Sequence, residues 1–233
     1  RTAILNFDRE TRFYADLSFD RGVWYGNGAN DESNPWYVHA RGGEFASVFE
    51  ISQYSVTGYW PKKLVAIPSQ VNTGTSFSDT RYAFPIIRLA DLYLYYAEAL
   101  NESKGSPDAQ VYEYIDLVRE RAGLSSVVDS WTAFSNDPSK PTSQAGMRDI
   151  IQHERMIEMS FEGTRFWDLR RWKLASEFMN KPIRGWNVLE NDADDYYTIR
   201  TLYNPTFSEK DYLWPIPETE TIKDPSLIQN PGW

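Results

Sequence analysis

A change of pattern at Phe84 constrains the fold of this 233-residue chain more than any other feature. From that point apolar residues recur at helical spacing, whereas residues 1–84 show short alternating or irregular runs. The stretch FPIIRLADLYLYYAEALN, residues 84–101, has Pro85 in its first turn and apolar residues on nearly all sides. It is therefore predicted to be a deeply buried helix. Its polar side chains fall near one stripe, formed by Arg88, Asp91 and Glu98.

Three more helices are predicted before residue 182. The first begins at Ser106-Pro107-Asp108 and ends at Gly123, and residues 125–142 are predicted to be a loop. The second of these helices follows that loop and is interrupted at Gly163. The third runs from about residue 164 to residue 179. The apolar face of the second helix consists of Met147, Ile150, Ile151, Ile157 and Phe161. Two helical hairpins in succession predict tetratricopeptide-like packing, although the spacing is not a regular 34-residue repeat.

The segments on either side of the helices are predicted to be rich in loops. Apolar and polar residues alternate over Phe13–Phe19, which predicts a half-buried strand. GYWPKK, residues 58–63, is predicted to be a strand end, because Pro61 is excluded from central strands. The predicted fold class is mainly α, with helical hairpins in residues 85–181, long irregular loops in 1–84 and 182–233, and a few short strands. We expect one domain over residues 1–233.

Composition narrows the possible functions. The net charge of -9 argues against nucleic acid and against electrostatic docking on anionic lipid. A neutral ligand such as a sugar, or a protein partner, fits this charge better. The absence of cysteine excludes disulfides, thiolate zinc sites and a cysteine nucleophile. The sequence contains no run of about 18 apolar residues, so no membrane-spanning helix is predicted. It also contains no cofactor motif.

Aromatic residues make up 15% of the chain, and an unusual number fall in one loop, RGVWYGNGANDESNPWY, residues 21–37. Sugars stack their C–H faces on Trp and Tyr, and their hydroxyls form hydrogen bonds with Asn and Asp. The loop therefore carries both kinds of side chain that a sugar-binding site needs. The alternative is that these aromatics attach a long loop to the core. The candidate ligand-binding residues are Trp24, Tyr25, Asn27, Trp36 and Tyr37 of this loop and, with weaker support, Trp60. Trp131 and Trp186 are further weaker candidates.

EGTRFWDLRRW, residues 162–172, raises the question of catalysis, because Glu162 and Asp168 could form an acid and base pair. Six residues along a helix amount to about 240° of net rotation, so the two carboxylates would point in different directions. Asp168 instead lies three residues from Arg165 and from Arg171, the spacing of intrahelical ion pairs. The stretch is therefore predicted to be a structural lattice of ion pairs.

Two other motifs are incomplete. His153-Glu154 begins a metalloprotease-like HExxH pattern, but the fifth residue is Ile157. NDADD, residues 191–195, could supply oxygen ligands for calcium but lacks the glycine and terminal Glu of a calcium loop. We therefore expect a solvated acidic loop and no metal site.

Four stretches, in order, resemble the SusD/RagB family, the nutrient-binding outer-membrane lipoproteins of Bacteroidetes. They are IIRLADLYLYYAEALNE (86–102), IDLVRERAGL (115–124), HERMIEMSFEGTRFWDLRRW (153–172) and LWPIPETETIKDPSLIQNPGW (213–233). RETRFYADLSF near the start is also similar, although Glu10-Thr11 replaces the Asp-Pro of the family. The matches are highly specific, and the missing N-terminal half of the family pattern indicates a fragment of a longer protein.

The resemblance implies a SusD-like fold and capture of an oligosaccharide, a polysaccharide or another nutrient at the outer-membrane surface. Because no pair of carboxylates is convincingly placed for glycoside hydrolysis, we expect the chain not to be an enzyme. It implies delivery to a SusC-like TonB-dependent transporter, with membrane contact only through a lipid anchor outside this fragment. One alternative stays open. The helical hairpins could serve only as a docking module for the transporter, with the ligand site in the missing half.

Overall fold

The computed structural model of the chain describes residues 2–24, 35–47, 54–71 and 77–233. The predicted mainly helical fold with a few short strands is confirmed. In the described residues the elements are α1 (Thr11–Asp16), β1 (Leu17–Phe19), β2 (Val23–Trp24), β3 (Trp36–Tyr37), β4 (Tyr59–Pro61), β5 (Gln70–Val71), β6 (Phe77–Ser78), α2 (Leu89–Lys104), α3 (Ala109–Arg121), α4 (Val127–Phe134), α5 (Gln144–Glu158), α6 (Thr164–Arg171), α7 (Ala175–Met179), β7 (Ile183–Trp186), α8 (Ala193–Tyr196), β8 (Ile199–Tyr203) and α9 (Glu218–Lys223). Short 3-10 turns occupy Ile4–Asn6, Lys140–Thr142 and Glu209–Tyr212.

The first hydrophobic core lies between α2, α3, α4 and α5. It contains Ala90, Leu94, Ala97, Val111, Ile115, Val118, Val127, Met147, Ile150 and Ile151. These side chains recur every three or four residues along their helices, so each helix turns one face to the others. The predicted face of α5 is confirmed for Met147, Ile150 and Ile151, whereas Phe161 lies beyond the helix and is half exposed.

Helix α3 begins and ends where the sequence predicts. The Asp108 carboxylate accepts hydrogen bonds from the backbone N–H groups of Gln110 (3.1 Å) and Val111 (3.2 Å). At the other end Gly123 adopts a left-handed conformation, with φ 75°, that strongly favours glycine. Local capping chemistry therefore sets both ends of this helix.

The prediction of a deeply buried helix from Phe84 is wrong in two respects. Helix α2 begins five residues later, because Arg88 is extended and its side chain is held by Glu158 and Glu162. Only one face is buried, and Leu92 and Tyr96 on the other face are 52% and 43% exposed. The apolar residues of this stretch therefore outnumber those that the core accommodates.

Two other boundaries also differ from the predictions. Residues 125–142, predicted to be a loop, contain α4, which Ser126 caps by accepting a hydrogen bond from Asp129 N (3.1 Å). The single helix predicted over 164–179 is divided into α6 and α7, because Lys173 is left-handed with φ 58°. Neither change alters the helical class of the segment.

The strand predicted over Phe13–Phe19 is also mostly wrong. Helix α1 occupies its first half, and only β1 is extended, paired antiparallel to β4 with Phe19 opposite Tyr59. Arg12 explains the difference, because in α1 its buried guanidinium reaches Glu154 (2.6 Å) and Glu158 (3.2 Å) of α5. Long-range ion pairs thus override a local period of two. The predicted strand end at Pro61 is confirmed by β4.

The described strands form four antiparallel pairs, β1–β4, β2–β3, β5–β6 and β7–β8. The pair β7–β8 lies in the segment after Pro182 that was predicted to be irregular, and it places Trp186 opposite Ile199. The pair β2–β3 closes the two ends of the predicted aromatic loop. These two pairs bring distant aromatic residues into one region.

Candidate functional site

A second core is built mainly from aromatic side chains, and we call it the aromatic cluster. Val38, Ala40, Trp186 and Tyr196 form its buried centre. The half-buried hydrophobic residues that pack against this centre are Ala3, Trp24, Trp36, Ala46, Tyr59, Trp60, Val188 and Tyr197. Rings in the cluster meet edge to face, such as Trp186 and Tyr197 with centroids 5.3 Å apart. The cluster is therefore a rigid platform.

The structure brings three of the predicted ligand-binding residues into this cluster. Trp24 and Trp36 lie opposite each other in the β2–β3 pair, and Trp60 of β4 packs against the same centre. Tyr37 is 46% exposed. Tyr25 and Asn27 lie outside the described residues. The three tryptophans contact the core, as the structural alternative predicted, but each also keeps part of its surface accessible.

The exposed side of the cluster carries an aromatic residue that the sequence analysis missed. Phe45 packs edge to face on Trp36, with ring centroids 5.8 Å apart, and is 53% exposed. Phe45 and the half-buried Trp36 give the cluster an accessible aromatic border. Tyr37 is the next residue of β3, so its exposed side chain extends this border on the other face of the strand. Apolar ring faces next to polar backbone are what a sugar ring requires for stacking.

A buried carboxylate holds the border in place. Asp20 accepts hydrogen bonds from the backbone N–H of Ala40 (3.1 Å), the Arg41 guanidinium (2.9 Å) and the Tyr197 hydroxyl (2.7 Å). Burial, together with the neighbouring Asp20 carboxylate, raises the pKa of Tyr197 to about 12, so this hydroxyl stays protonated and donates. These bonds attach the chain after β3 to α8.

Gly58 lets the loop before β4 approach the cluster closely. Its φ of 80° is left-handed, and a Cβ at this position would lie 2.8 Å from Trp186 Cδ1. A side chain here would strain the backbone and push against the buried indole. The position of β4, and with it Trp60, depends on this glycine.

Residues 162–172 belong to a separate ion-pair system that we call the charge network. Asp168 accepts hydrogen bonds from Arg155 of α5 (3.1 Å) and from Arg171 (2.8 Å). Arg155 is fully buried and also donates to Asp91 (2.8 Å), while Arg171 also pairs with Glu98 of α2. The predicted lattice is confirmed for Asp168 and Arg171, but its principal cation, Arg155, lies on another helix.

Glu162 lies in the same network and does not form an acid and base pair with Asp168. It accepts hydrogen bonds from Arg88 (2.7 and 2.8 Å) and pairs with Lys63 (2.7 Å). Burial alone would raise the pKa of Glu162, but the bonds from Arg88 and Lys63 outweigh it and lower the pKa. A carboxylate held ionised by two cations is poorly suited to be the proton donor of a glycosidase.

The charge network predicts a fall in stability at acidic pH. Burial tends to raise the pKa of Glu98, Glu158 and Glu162, but hydrogen bonds and charges from arginines outweigh it and lower all three. Such groups stabilise the fold fully above their unfolded pKa of about 4.3, and the gain is lost as the pH falls through the lower folded pKa. Burial raises the pKa of Asp16 and Asp116, which oppose this trend.

The urea midpoint is therefore expected to be steady above about pH 5 and to decrease between about pH 4.5 and 3. Glu162→Gln should reduce the steepness of that decrease, because it removes one of the three groups. A midpoint that is the same at pH 3 and pH 6 would contradict the assignment.

The two incomplete metal motifs have structural roles. Glu154 is buried against Arg12 and Arg119, whereas His153 is exposed. Asp192 caps α8 by accepting a hydrogen bond from Asp194 N (2.8 Å). Within residues 2–24, 35–47, 54–71 and 77–233, no three His, Asp or Glu side chains are grouped to hold a metal ion.

The exposed fractions of the other tryptophans do not follow their ranking as candidates in the sequence. Trp186, a weaker candidate in the sequence, is buried, and the ring of Trp131 is covered by Lys140, whose Nζ lies 5.3 Å from the ring centroid. Trp167 and Trp214, which were not candidates, are 62% and 67% exposed. No local signal distinguishes these indoles, since their exposure depends on how the C-terminal segment packs.

Comparison with known proteins gives consistent matches. The family model described as "SusD family" matches residues 2–233. SusD-like protein P2 of Formosa agariphila is 35% identical over 150 residues, covering 63% of this chain and 25% of that protein. The solved structure of BT4246 superimposes with a TM-score of 0.78 and 26% identity, covering 97% of this chain and 36% of that chain. A SusD-like protein from Bacteroides fragilis NCTC 9343 gives a TM-score of 0.73 and 26% identity, covering 97% and 39%.

The chain spans about a quarter of the length of the curated relative and under two fifths of the two solved structures. Almost all of this chain is nevertheless included in both structural matches, so its fold is the fold of the corresponding part of those proteins. In the described part of the chain, none of the helices has the length and apolar character needed to cross a bilayer.

Proposed function

Because the chain belongs to the SusD family, we propose that it is part of a cell-surface protein that binds carbohydrate as a nutrient without modifying it. The observation that carries this proposal is the aromatic cluster with its accessible border at Trp36 and Phe45, next to the exposed Tyr37 of the same strand. Flat rings on a rigid base bind sugar rings through their C–H faces, at little cost in conformational entropy. The binding surface that we propose comprises this border and the loop residues Tyr25 and Asn27.

The absence of enzymatic activity is part of the same proposal. Its support is the environment of Glu162 and Asp168, in which each carboxylate is matched with two cationic side chains. A glycosidase instead needs one carboxyl group that carries a proton at working pH. We propose that the bound sugar leaves chemically unchanged.

We further propose that the chain is the C-terminal domain of a longer, lipid-anchored outer-membrane protein that delivers its ligand to a SusC-like TonB-dependent transporter. The family and the partial coverage of its relatives support this assignment. In this arrangement the transporter supplies the energy-coupled step. The binding protein contributes reversible capture.

A second candidate function is a docking module for a protein partner. It is favoured by a group of exposed apolar side chains at the start of α2. Ile86, Ile87, Leu89 and Leu92 are 92%, 71%, 59% and 52% exposed. A group of exposed apolar side chains of this kind is typical of a protein contact surface.

Substitutions at the border test the proposed site. Tyr37→Ala is expected to weaken oligosaccharide binding about three- to tenfold, because it removes an exposed stacking face. Trp36→Ala should weaken binding at least as much. Phe134→Ala is the matched control, since Phe134 is 88% exposed and lies on α4.

The affinities are measured by isothermal titration after circular dichroism confirms that each variant is folded. Equal weakening by Phe134→Ala, or undiminished binding in Tyr37→Ala and Trp36→Ala, would count against the border as the site. Complete absence of sugar binding in the parent chain, with retained association with a transporter, would favour the docking module.

A further inference from the structure

A groove of about 740 Å³ lies between α6 and the C-terminal segment, away from the aromatic cluster. Its lining includes Trp167, Arg170, Lys173, Glu209, Tyr212 and Trp214. The outer wall is the 3-10 turn Glu209–Tyr212, which begins with a capping box between Ser208 and Asp211. The groove therefore has one helical wall and one wall fixed by local capping.

The two adjacent arginines of the RRW motif have different environments. Arg171 pairs with Glu98 and Asp168, so its charge is neutralised within the charge network. The Arg170 guanidinium forms no hydrogen bond or ion pair with a described residue, and its Nε is buried without a partner. Arg170 thus brings to the groove a positive charge that no described carboxylate pairs with directly, and the nearby Asp211 acts on it only through space.

Aromatic rings hold this unpaired guanidinium. Its Cζ lies 4.3 Å from the ring centroid of Phe166, 5.5 Å from that of Phe207 and 5.6 Å from that of Trp214. Rings stabilise a cation through their negative faces but do not neutralise its charge. The Nη groups keep donors that a planar anionic group can use in pairs.

Lys173 adds a second cation at the same wall. Its Nζ lies 4.1 Å from the Tyr212 ring centroid, and it has no ion pair with a described residue. Its left-handed backbone, φ 58°, ends α6 and turns this residue toward the C-terminal segment. This conformation is common at the end of a helix, where here the Leu174 N–H donates to the Leu169 carbonyl (2.9 Å).

The groove also presents two accessible indoles. Trp167 and Trp214 are 62% and 67% exposed, and both line it. Of the groove-lining side chains only Glu209 is acidic, in a chain whose net charge is -9. A local excess of cations beside flat apolar faces therefore contrasts with the rest of the molecule.

We propose that this groove is a second carbohydrate subsite, specific for a sugar residue that carries a carboxylate. The carboxylate pairs with the Nη groups of Arg170 in the field of Lys173, and the C–H face of the ring stacks on Trp214 or Trp167. The choice of a sugar, rather than another carboxylate, rests on the proposed function. Flat exposed indoles favour a ring over an acidic peptide, whose side chains offer no comparable face.

The test compares two probes with the same sugar chain, one with free carboxylates and one with neutral methyl esters. Tetragalacturonic acid and its fully methyl-esterified form are titrated into the parent chain, Arg170→Gln, Lys173→Gln and Trp214→Ala. We expect the acid to bind at least about tenfold more tightly than the ester, because a charge-assisted bidentate pair forms only with the acid. We also expect about a tenfold loss in Arg170→Gln, a smaller loss in Lys173→Gln, and weaker binding at higher salt.

Arg148→Gln is the matched control, because it removes one positive charge from a surface pair with Glu102. Lys173 is exposed, so its variant keeps the test valid if Arg170→Gln does not fold. Equal affinity for acid and ester, no binding of the acid, or equal losses in Arg148→Gln and Arg170→Gln would overturn the inference. Tighter binding of tetra-aspartate than of the uronate would assign the groove to acidic peptides and would overturn it too.

Failure of this subsite is distinguishable from failure of the proposed function. A neutral oligosaccharide whose affinity falls in Tyr37→Ala but not in Arg170→Gln reports on the aromatic cluster alone. Its binding would support the proposed function even if the uronate fails to bind.

Discussion

Replacing Asp168 by alanine is expected to lower the free energy of unfolding by about 3–5 kcal/mol, the cost of breaking a buried ion pair from one side. Asp168 is 2% exposed and accepts hydrogen bonds from Arg155 and Arg171. Without it, the fully buried Arg155 keeps Asp91 as its one carboxylate partner among the described residues. The large effect arises because a charge is left in the interior with too few partners.

Urea unfolding followed by circular dichroism measures this change. Glu102→Ala is the control, because its pair with Arg148 is at the surface, with side chains 38% and 40% exposed. We expect that control to cost less than about 1 kcal/mol. An Asp168→Ala protein as stable as Glu102→Ala would show that the charge network does not hold α5 and α6 together.

The second large effect is expected at Tyr196, the fully buried centre of the aromatic cluster. Tyr196→Ala should destabilise by about 3–5 kcal/mol, because it removes a large ring and leaves a cavity. Tyr196→Phe should be close to neutral, since the hydroxyl is buried without a hydrogen-bond partner among the described residues.

Thermal unfolding of the two variants provides the comparison. A phenylalanine variant as unstable as the alanine variant would mean that the hydroxyl, rather than the ring, stabilises the cluster. The alanine variant should also weaken binding of neutral sugars, because Trp36 and Trp60 pack on the buried centre that includes Tyr196.

Local signals predicted the helical part of the fold well. Met147, Ile150 and Ile151 repeat at helical spacing, and Asp108 and Gly123 mark the ends of α3, so periodicity and capping sufficed. Two of the failures arose where distant residues decide the conformation. Arg12 turns a strand-like stretch into α1 by reaching α5, and Arg88 delays the start of α2 in the same way.

The candidate site was only partly predictable for a related reason. Trp24, Trp36 and Trp60 were identified by composition, and β-pairing and packing bring them together. Phe45 and Trp214 carried no local signal, because their exposure depends on long-range packing. Arg170 and Arg171 are adjacent and chemically identical in the sequence, yet among the described residues Arg171 pairs with two carboxylates and Arg170 with none.

One measurement tests most directly whether the chain binds a carbohydrate without cleaving it. The purified chain is titrated calorimetrically against a panel of neutral oligosaccharides, and each mixture is then analysed by chromatography for cleavage products. We expect saturable heat with at least one sugar, reduced in Tyr37→Ala, and full recovery of the intact oligosaccharide. Release of shorter sugars at a rate abolished by Glu162→Gln would contradict binding without cleavage, and no heat from any sugar with a folded sample would contradict carbohydrate capture by this chain.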